Sequence, residues 1–223
     1  MPITQRKNMI LGQLYTNDIQ DKRILDAISS VPREDFLPAN LKGAAYADED
    51  LDVGNGRALM APLTFATLLD LAEIKPADRV LVIGALSGYT AAIIAQLARQ
   101  IVATDIDAAL IEQGKNHMKR LGIGNVTFQH AATLGEGYAA SAPYDVIFIA
   151  GAIEVIPEAV GSQLAQNGRL VAIRNKSKRP DSKTGLGKGL LVRRIDNALQ
   201  HREHFDASAT LLPGFMQKTG FAF

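Results

Sequence analysis

Residues 79–98 read RVLVIGALSGYTAAIIAQLA, and the change of rhythm inside this stretch decides the fold. Arg79 to Ile83 is a short apolar run entered from the turn residues Pro76-Ala77-Asp78 and left at Gly84, which reads as a buried strand. Thr90 to Ala98 is apolar nearly all round, which reads as a helix packed deep in a core. Outward from this unit the alternation continues. QIVAT (100–104) is a second strand, and Asp107 to Leu121 is an amphipathic helix stopped by Gly122. VTFQ (126–129), DVIFIA (145–150) and RLVAI (169–173) are further strands, with a helix expected over Glu154–Gln166. Strands that are almost continuously apolar and alternate with helices make a parallel sheet covered on both faces. The expected class is a doubly wound, mainly parallel α/β fold, Rossmann-like, with an N-terminal extension.

That extension has its own character. Asp18 to Val31 carries Ile19, Ile24, Leu25, Ala27, Ile28 and Val31 at helical spacing, and Pro32 ends it. Residues 32–62 are irregular and rich in Pro, Gly and Asp, too long for an ordinary connector and therefore a candidate functional loop. The expected organisation is one domain over 1–223, with an N-terminal helix and active-site segment (1–62) against an α/β core (63–223). At the other end, RNKSKRPDSKTGLGKG (174–189) sets Arg174, Lys176, Lys178, Arg179, Lys183 and Lys188 against a single acid, Asp181. It reads as a solvated tip between antiparallel strands RLVAI and GLLVRRI, with an acidic partner such as RNA as the alternative. The closing LLPGFMQKTGFAF (211–223) is apolar and is expected to form a terminal strand and lid edge.

Composition removes several classes of function. The 223 residues contain no Cys, so disulfides, thiolate zinc sites and cysteine nucleophiles are out. With 24 Lys+Arg against 23 Asp+Glu, the net charge of +1 is too balanced for a chain that coats nucleic acid. No apolar run approaches the ~18 residues of a membrane span, and the expectation is a cytoplasmic protein, monomeric or homodimeric. Four histidines occur; His201 and His204 lie in a polar stretch, and no metal site is expected. Ser87 lacks the glycine at Ala85 that a hydrolase nucleophile elbow needs.

The chemistry concentrates after the first core strand. Glycines at the carboxyl end of such a strand let a cofactor approach the backbone, and Gly84 and Gly88 stand there. Asp105 ends the next strand, roughly 20 residues on, where a carboxylate accepts the ribose hydroxyls of an adenosine cofactor. A tight strand-to-helix turn with a capping Asp is the structural alternative. A dinucleotide needs a middle glycine where Leu86 stands. S-adenosylmethionine carries no phosphate and demands less of this loop.

Three segments carry a resemblance. ILDAISSVPREDFLP (24–38), AYADEDLDVGNG (45–56) with Pro62, and the core runs GYTAAIIAQLA, VTFQH, APYDVIFIAGA and LAQNGRLVAI together resemble the protein-L-isoaspartate O-methyltransferase family. The likeness runs from about Asn8 to the last strand. It implies a class I methyltransferase fold, S-adenosylmethionine as cofactor, and esterification of L-isoaspartyl residues in damaged proteins, a repair reaction. By the same likeness Gly54, Asn55 and Gly56 would bind substrate. Met60, Ile83, Gly84, Ala85, Ser87, Gly88, Asp105, Ile106 and Ala132 would line the cofactor. The departures are specific. The family's usual Q-T-I-S-x-P after G-N-G is here Arg57-Ala58-Leu59-Met60-Ala61-Pro62, so Met60 takes the place of the active-site Ser. Val82, Ala85 and Leu86 replace an acid, a Thr and a Gly in the first-strand motif, and Ala131-Ala132-Thr133 stands for G-D-G. A paralogue with an altered substrate, or a non-catalytic binding role, is the alternative those losses imply.

Overall fold

In the computed structural model, which describes residues 2–175 and 184–217, the chain opens with helix α1 (Pro2–Met9), continued by a wider π turn over Ile10–Leu14. This opening helix has no counterpart in the sequence reading. The helix expected over 18–31 is shorter, α2 (Lys22–Ser30), because Asp18 takes a left-handed φ of 64° and Asp21 caps the true start by accepting from the Arg23 N–H at 2.8 Å. The irregular segment that follows contains a small antiparallel hairpin, β1 (Leu51–Gly54) and β2 (Arg57–Leu59). Then comes α3 (Pro62–Ala72), with Pro62 in its first turn, where its missing N–H leaves no helical bond unmade.

The core alternates as expected: β3 (Arg79–Ile83), α4 (Tyr89–Ile94), β4 (Gln100–Asp105), α5 (Ala108–Leu121), β5 (Val126–His130) and β6 (Tyr144–Ile153). Helix α5 shows both of its signals. The Asp107 carboxylate accepts from the N–H groups of Ala109 and Leu110, and Gly122 closes the helix at φ 69°. Between β6 and β7 (Leu164–Asn175) only one turn of helix forms, α6 (Glu158–Gly161), where Glu154–Gln166 was expected. The reason is tertiary. The N–H groups of Glu154 and Val155 go to the Phe215 carbonyl of the C-terminal tail, and Leu164 already pairs with Tyr144. Strands β8 (Thr184–Ile195) and β9 (Ala198–Thr210) complete a seven-stranded sheet of order β5-β4-β3-β6-β7-β8-β9. The first five positions run parallel, and β8 and β9 are antiparallel to their neighbours. The polar run around His201 and His204 is thus strand β9 at the sheet edge, with both histidines exposed.

The sheet's alternation sorts its side chains into two clusters. Val80, Val82, Ile101, Ala103 and Phe148 pack with residues of α2, α3, α4 and α5. Leu81, Ile83, Val102, Ile147 and Ile149 face the other way, toward Val160 of α6 and toward Leu212 and Phe215 of the tail. Helices lie on both faces, but unequally; short turns and the tail cover much of the second face. Strands β7 and β8 pair antiparallel, as expected, and the tip expected between them, residues 176 to 183, lies outside the described residues.

Candidate active site

Parallel strands β3, β4 and β6 end on one side of the sheet, and the candidate residues gather there. After β3 the chain turns through Gly84 (φ 81°), Leu86 (φ 52°) and Gly88 (φ 98°) into α4. The Gly84 and Ala85 N–H groups both donate to the Thr104 carbonyl of β4, which holds the loop against that strand. Leu86 occupies a left-handed conformation that glycine takes without strain, and its side chain is buried in the core. Ser87 is buried too; its Oγ donates to the Phe36 carbonyl at 2.8 Å, and its own carbonyl meets His117 Nδ1 at 3.0 Å. It ties the loop to the N-terminal segment. Gly88 is required twice over: its φ of 98° is strained for any other residue, and a Cβ there would stand 2.8 Å from Phe128 Cζ.

Asp105 is fully buried at the end of β4 and receives five donors. Oδ1 accepts from Arg57 Nη1 at 3.0 Å and from the N–H groups of Ile106 and Asp107. Oδ2 accepts from Arg57 Nη2 at 3.0 Å and from the Leu86 N–H at 2.8 Å. Arg57 is 4% exposed and belongs to β2, the first residue after the G-N-G turn. The two side chains form a bidentate pair inside the crevice. A carboxylate offers about four lone-pair sites, and here they are taken. The second wall is the tail: a Cβ on Gly84 would lie 3.2 Å from both Arg57 Nη2 and Leu212 Cδ1, and one on Gly151 would meet Leu212 Cγ at 2.6 Å. As arranged, Arg57 takes lone pairs of Asp105, and Leu212 and Arg57 fill the space above Gly84, so this corner as it stands has no room for an adenosine cofactor.

The remaining candidates surround this pair. Gly54, Asn55 and Gly56 form the hairpin turn, all at positive φ, and Gly54 and Asn55 line an open pocket of about 410 Å³ with Arg57, Ile106, Leu110 and His130. Ile83 is buried beneath the loop, while Ala132 is exposed beyond β5, where the Ala131 N–H donates to the Asp105 carbonyl. Met60 is buried in the core at 5% exposure. Its carbonyl accepts from Arg33 Nη2 at 2.7 Å.

Three charged residues unassigned in the sequence reading organise the site. Arg33 also donates from Nε to the Ala45 carbonyl and lies 5.0 Å over the Tyr89 ring, so one buried guanidinium braces the whole irregular segment. Burial disfavours its charge. Asp50 accepts from the N–H groups of Ala61 and Thr210, joining the start of α3 to the end of β9, and burial pushes its carboxyl above the usual Asp range. Arg57 is the third, and its visible signal was a basic residue where the resemblance leads one to expect Gln.

Comparison with known proteins agrees with this architecture. A family model described as protein-L-isoaspartate(D-aspartate) O-methyltransferase matches residues 5–183. A protein-L-isoaspartate O-methyltransferase of Koribacter versatilis (strain Ellin345) is 38% identical over 166 residues, 74% of each chain. One from Methylorubrum extorquens (strain PA1) is 38% identical over 169 residues, covering 74% of this chain and 72% of that protein. Among solved structures, a protein-L-isoaspartate O-methyltransferase superposes with a TM-score of 0.78 at 25% identity, covering 92% of this chain; this chain spans 65% of that one. A Plasmodium falciparum protein described as the same methyltransferase, crystallised with S-adenosyl-L-homocysteine, has a TM-score of 0.75 at 18% identity and covers 96% of this chain, which spans 98% of it.

Proposed function

Because this chain belongs to the protein-L-isoaspartate O-methyltransferase family, we propose that it esterifies the α-carboxyl of L-isoaspartyl residues in damaged proteins. The methyl donor of the family is S-adenosylmethionine. The observation that carries the reading is the reach of the family match, which takes in both the G-N-G hairpin and the Gly84–Asp105 corner. A substrate carboxylate with a pKa of about 4 is already ionised at neutral pH, so no general base is required. What the protein must supply is alignment and exclusion of water. The backbone of Gly54, Asn55 and Gly56 beside the open pocket is suited to hold a peptide carboxylate. Gly84, Ala85, Asp105 and Ile106 form the corner in which an adenosine would sit once Arg57 has left it.

The Thr210 N–H on Asp50, the Ser87 hydroxyl on the Phe36 carbonyl and Arg33 over Tyr89 support treating 1–62 and 63–223 as one functional unit. No described helix is long and apolar enough to cross a membrane. We place the activity in the cytoplasm, carried by a monomer or homodimer. The test pairs an isoaspartyl peptide with its normal aspartyl counterpart, each incubated with S-adenosylmethionine and read by mass spectrometry. A methyl ester on the isoaspartyl peptide alone is expected. Absence of ester under conditions where S-adenosylhomocysteine is shown to bind would remove the isoaspartyl assignment.

A further inference from the structure

We infer that Arg57 is a built-in occupant of the cofactor corner: its guanidinium satisfies Asp105 in place of ribose hydroxyls, so cofactor affinity is set by competition with the protein's own side chain. This rests on the methyltransferase reading and deepens it. Two bonds from Arg57 take lone pairs that two ribose hydroxyls would need, while the three backbone donors to Asp105 can remain. The pair is almost fully buried, with side-chain exposures of 5% for Arg57 and 0% for Asp105. Solvent therefore does little to screen it, and the cofactor must displace it.

Two features make Arg57 an exchangeable ligand and not only a structural tie. Its Nε is buried with no hydrogen-bond partner, an unmet donor that withdrawal into water would satisfy. It is also carried by a two-stranded hairpin separate from the main sheet, joined through three successive positive-φ residues, Gly54, Asn55 and Gly56. The two ends of the hairpin are fixed, with Leu51 and Leu59 buried in the core, so the part able to move is its turn, from Gly54 to Arg57. Opening the corner thus moves a small element and leaves the sheet intact.

The competition is quantitative. If only a fraction of molecules has Arg57 withdrawn, apparent affinity falls to that fraction of its intrinsic value. Calorimetric titration with S-adenosylhomocysteine of the full chain and of Arg57→Gln, the residue the resemblance leads one to expect there, reads it directly. Arg57→Gln is expected to bind roughly 10-fold tighter or more than wild type, with a lower Tm because the buried Asp105 loses its partner. Arg57→Lys keeps the charge but not the fork, and an intermediate affinity is expected; it serves if the Gln variant does not fold. In wild type, saturating S-adenosylhomocysteine is expected to speed amide hydrogen exchange over residues 54–57 as the turn is displaced. Wild type binding as tightly as both variants, or binding without any change in that exchange, overturns the internal competition and leaves the methyltransferase reading standing. No binding by wild type or by the folded variants at millimolar ligand overturns both.

Discussion

Arg33 shows how much a single side chain does in an irregular segment. Residues 31–61 lack a regular ladder apart from the hairpin, so their buried carbonyls need donors from elsewhere. Arg33 supplies two of them, to Ala45 and Met60, and its flat guanidinium lies over Tyr89 at the start of α4. Lysine could not reproduce that fork. Arg33→Met keeps apolar volume but orphans both carbonyls, and is expected to lose roughly 2–5 kcal/mol in urea denaturation. A loss near zero would mean that the segment finds other donors. Met60 belongs to the same assembly: its side chain is core and its carbonyl a brace point.

At the scale of elements, α5 is linked to the Gly84–Gly88 loop through His117. Its ring lies edge-on to Phe36 at 4.5 Å, and Nδ1 meets the Ser87 carbonyl. Burial lowers its pKa from the ordinary 6.5; Arg120 and Lys42 nearby lower it further, and the Ser87 carbonyl and Asp35 oppose them. A lowered folded pKa means that the unfolded chain takes up the proton first. This histidine's contribution is therefore complete above its unfolded pKa and is lost as pH falls toward the folded value. Wild type is expected to lose Tm between about pH 7.5 and about pH 5.5, and His117→Gln to lose less over the same interval. Equal pH slopes for the two proteins would show that His117 does not couple to folding.

Over the whole molecule, the two faces of the sheet are built from different parts of the chain. The first is covered by α2 and α3, which precede the strands of the main sheet, and by α4 and α5, which each follow a strand. The second is closed by the tail, whose Leu212 and Phe215 are buried against strands laid down far earlier. The Leu212 N–H donates to the Ala152 carbonyl, and the Phe215 carbonyl receives Glu154 and Val155. Phe215 is wholly buried. Phe215→Ala is expected to lower stability by about 3–5 kcal/mol and to loosen the tail above Gly151. Calorimetry gives the first, and faster hydrogen exchange at the Leu212, Glu154 and Val155 amides the second. Unchanged exchange would mean that the tail's hydrogen bonds alone hold it.

The parallel sheet, helix α5 with both of its ends, the Gly84 turn and the position of Asp105 were legible in the sequence, because each depends on local periodicity or on a cap a few residues away. So was the family, from motifs contiguous in the chain. What Asp105 binds was not legible: its partner Arg57 lies 48 residues away. Neither the wall that Leu212 builds over Gly84 nor the shortening of the 154–166 helix follows from local pattern, since the tail that causes both comes some fifty residues later or more. Gly88 makes the same point, for its conformation suited a cofactor turn while its missing side chain is required by Phe128. Backbone conformation is set mostly by neighbours along the chain. Which donor fills a buried carboxylate, and which side chain fills a crevice, is decided only when distant segments meet.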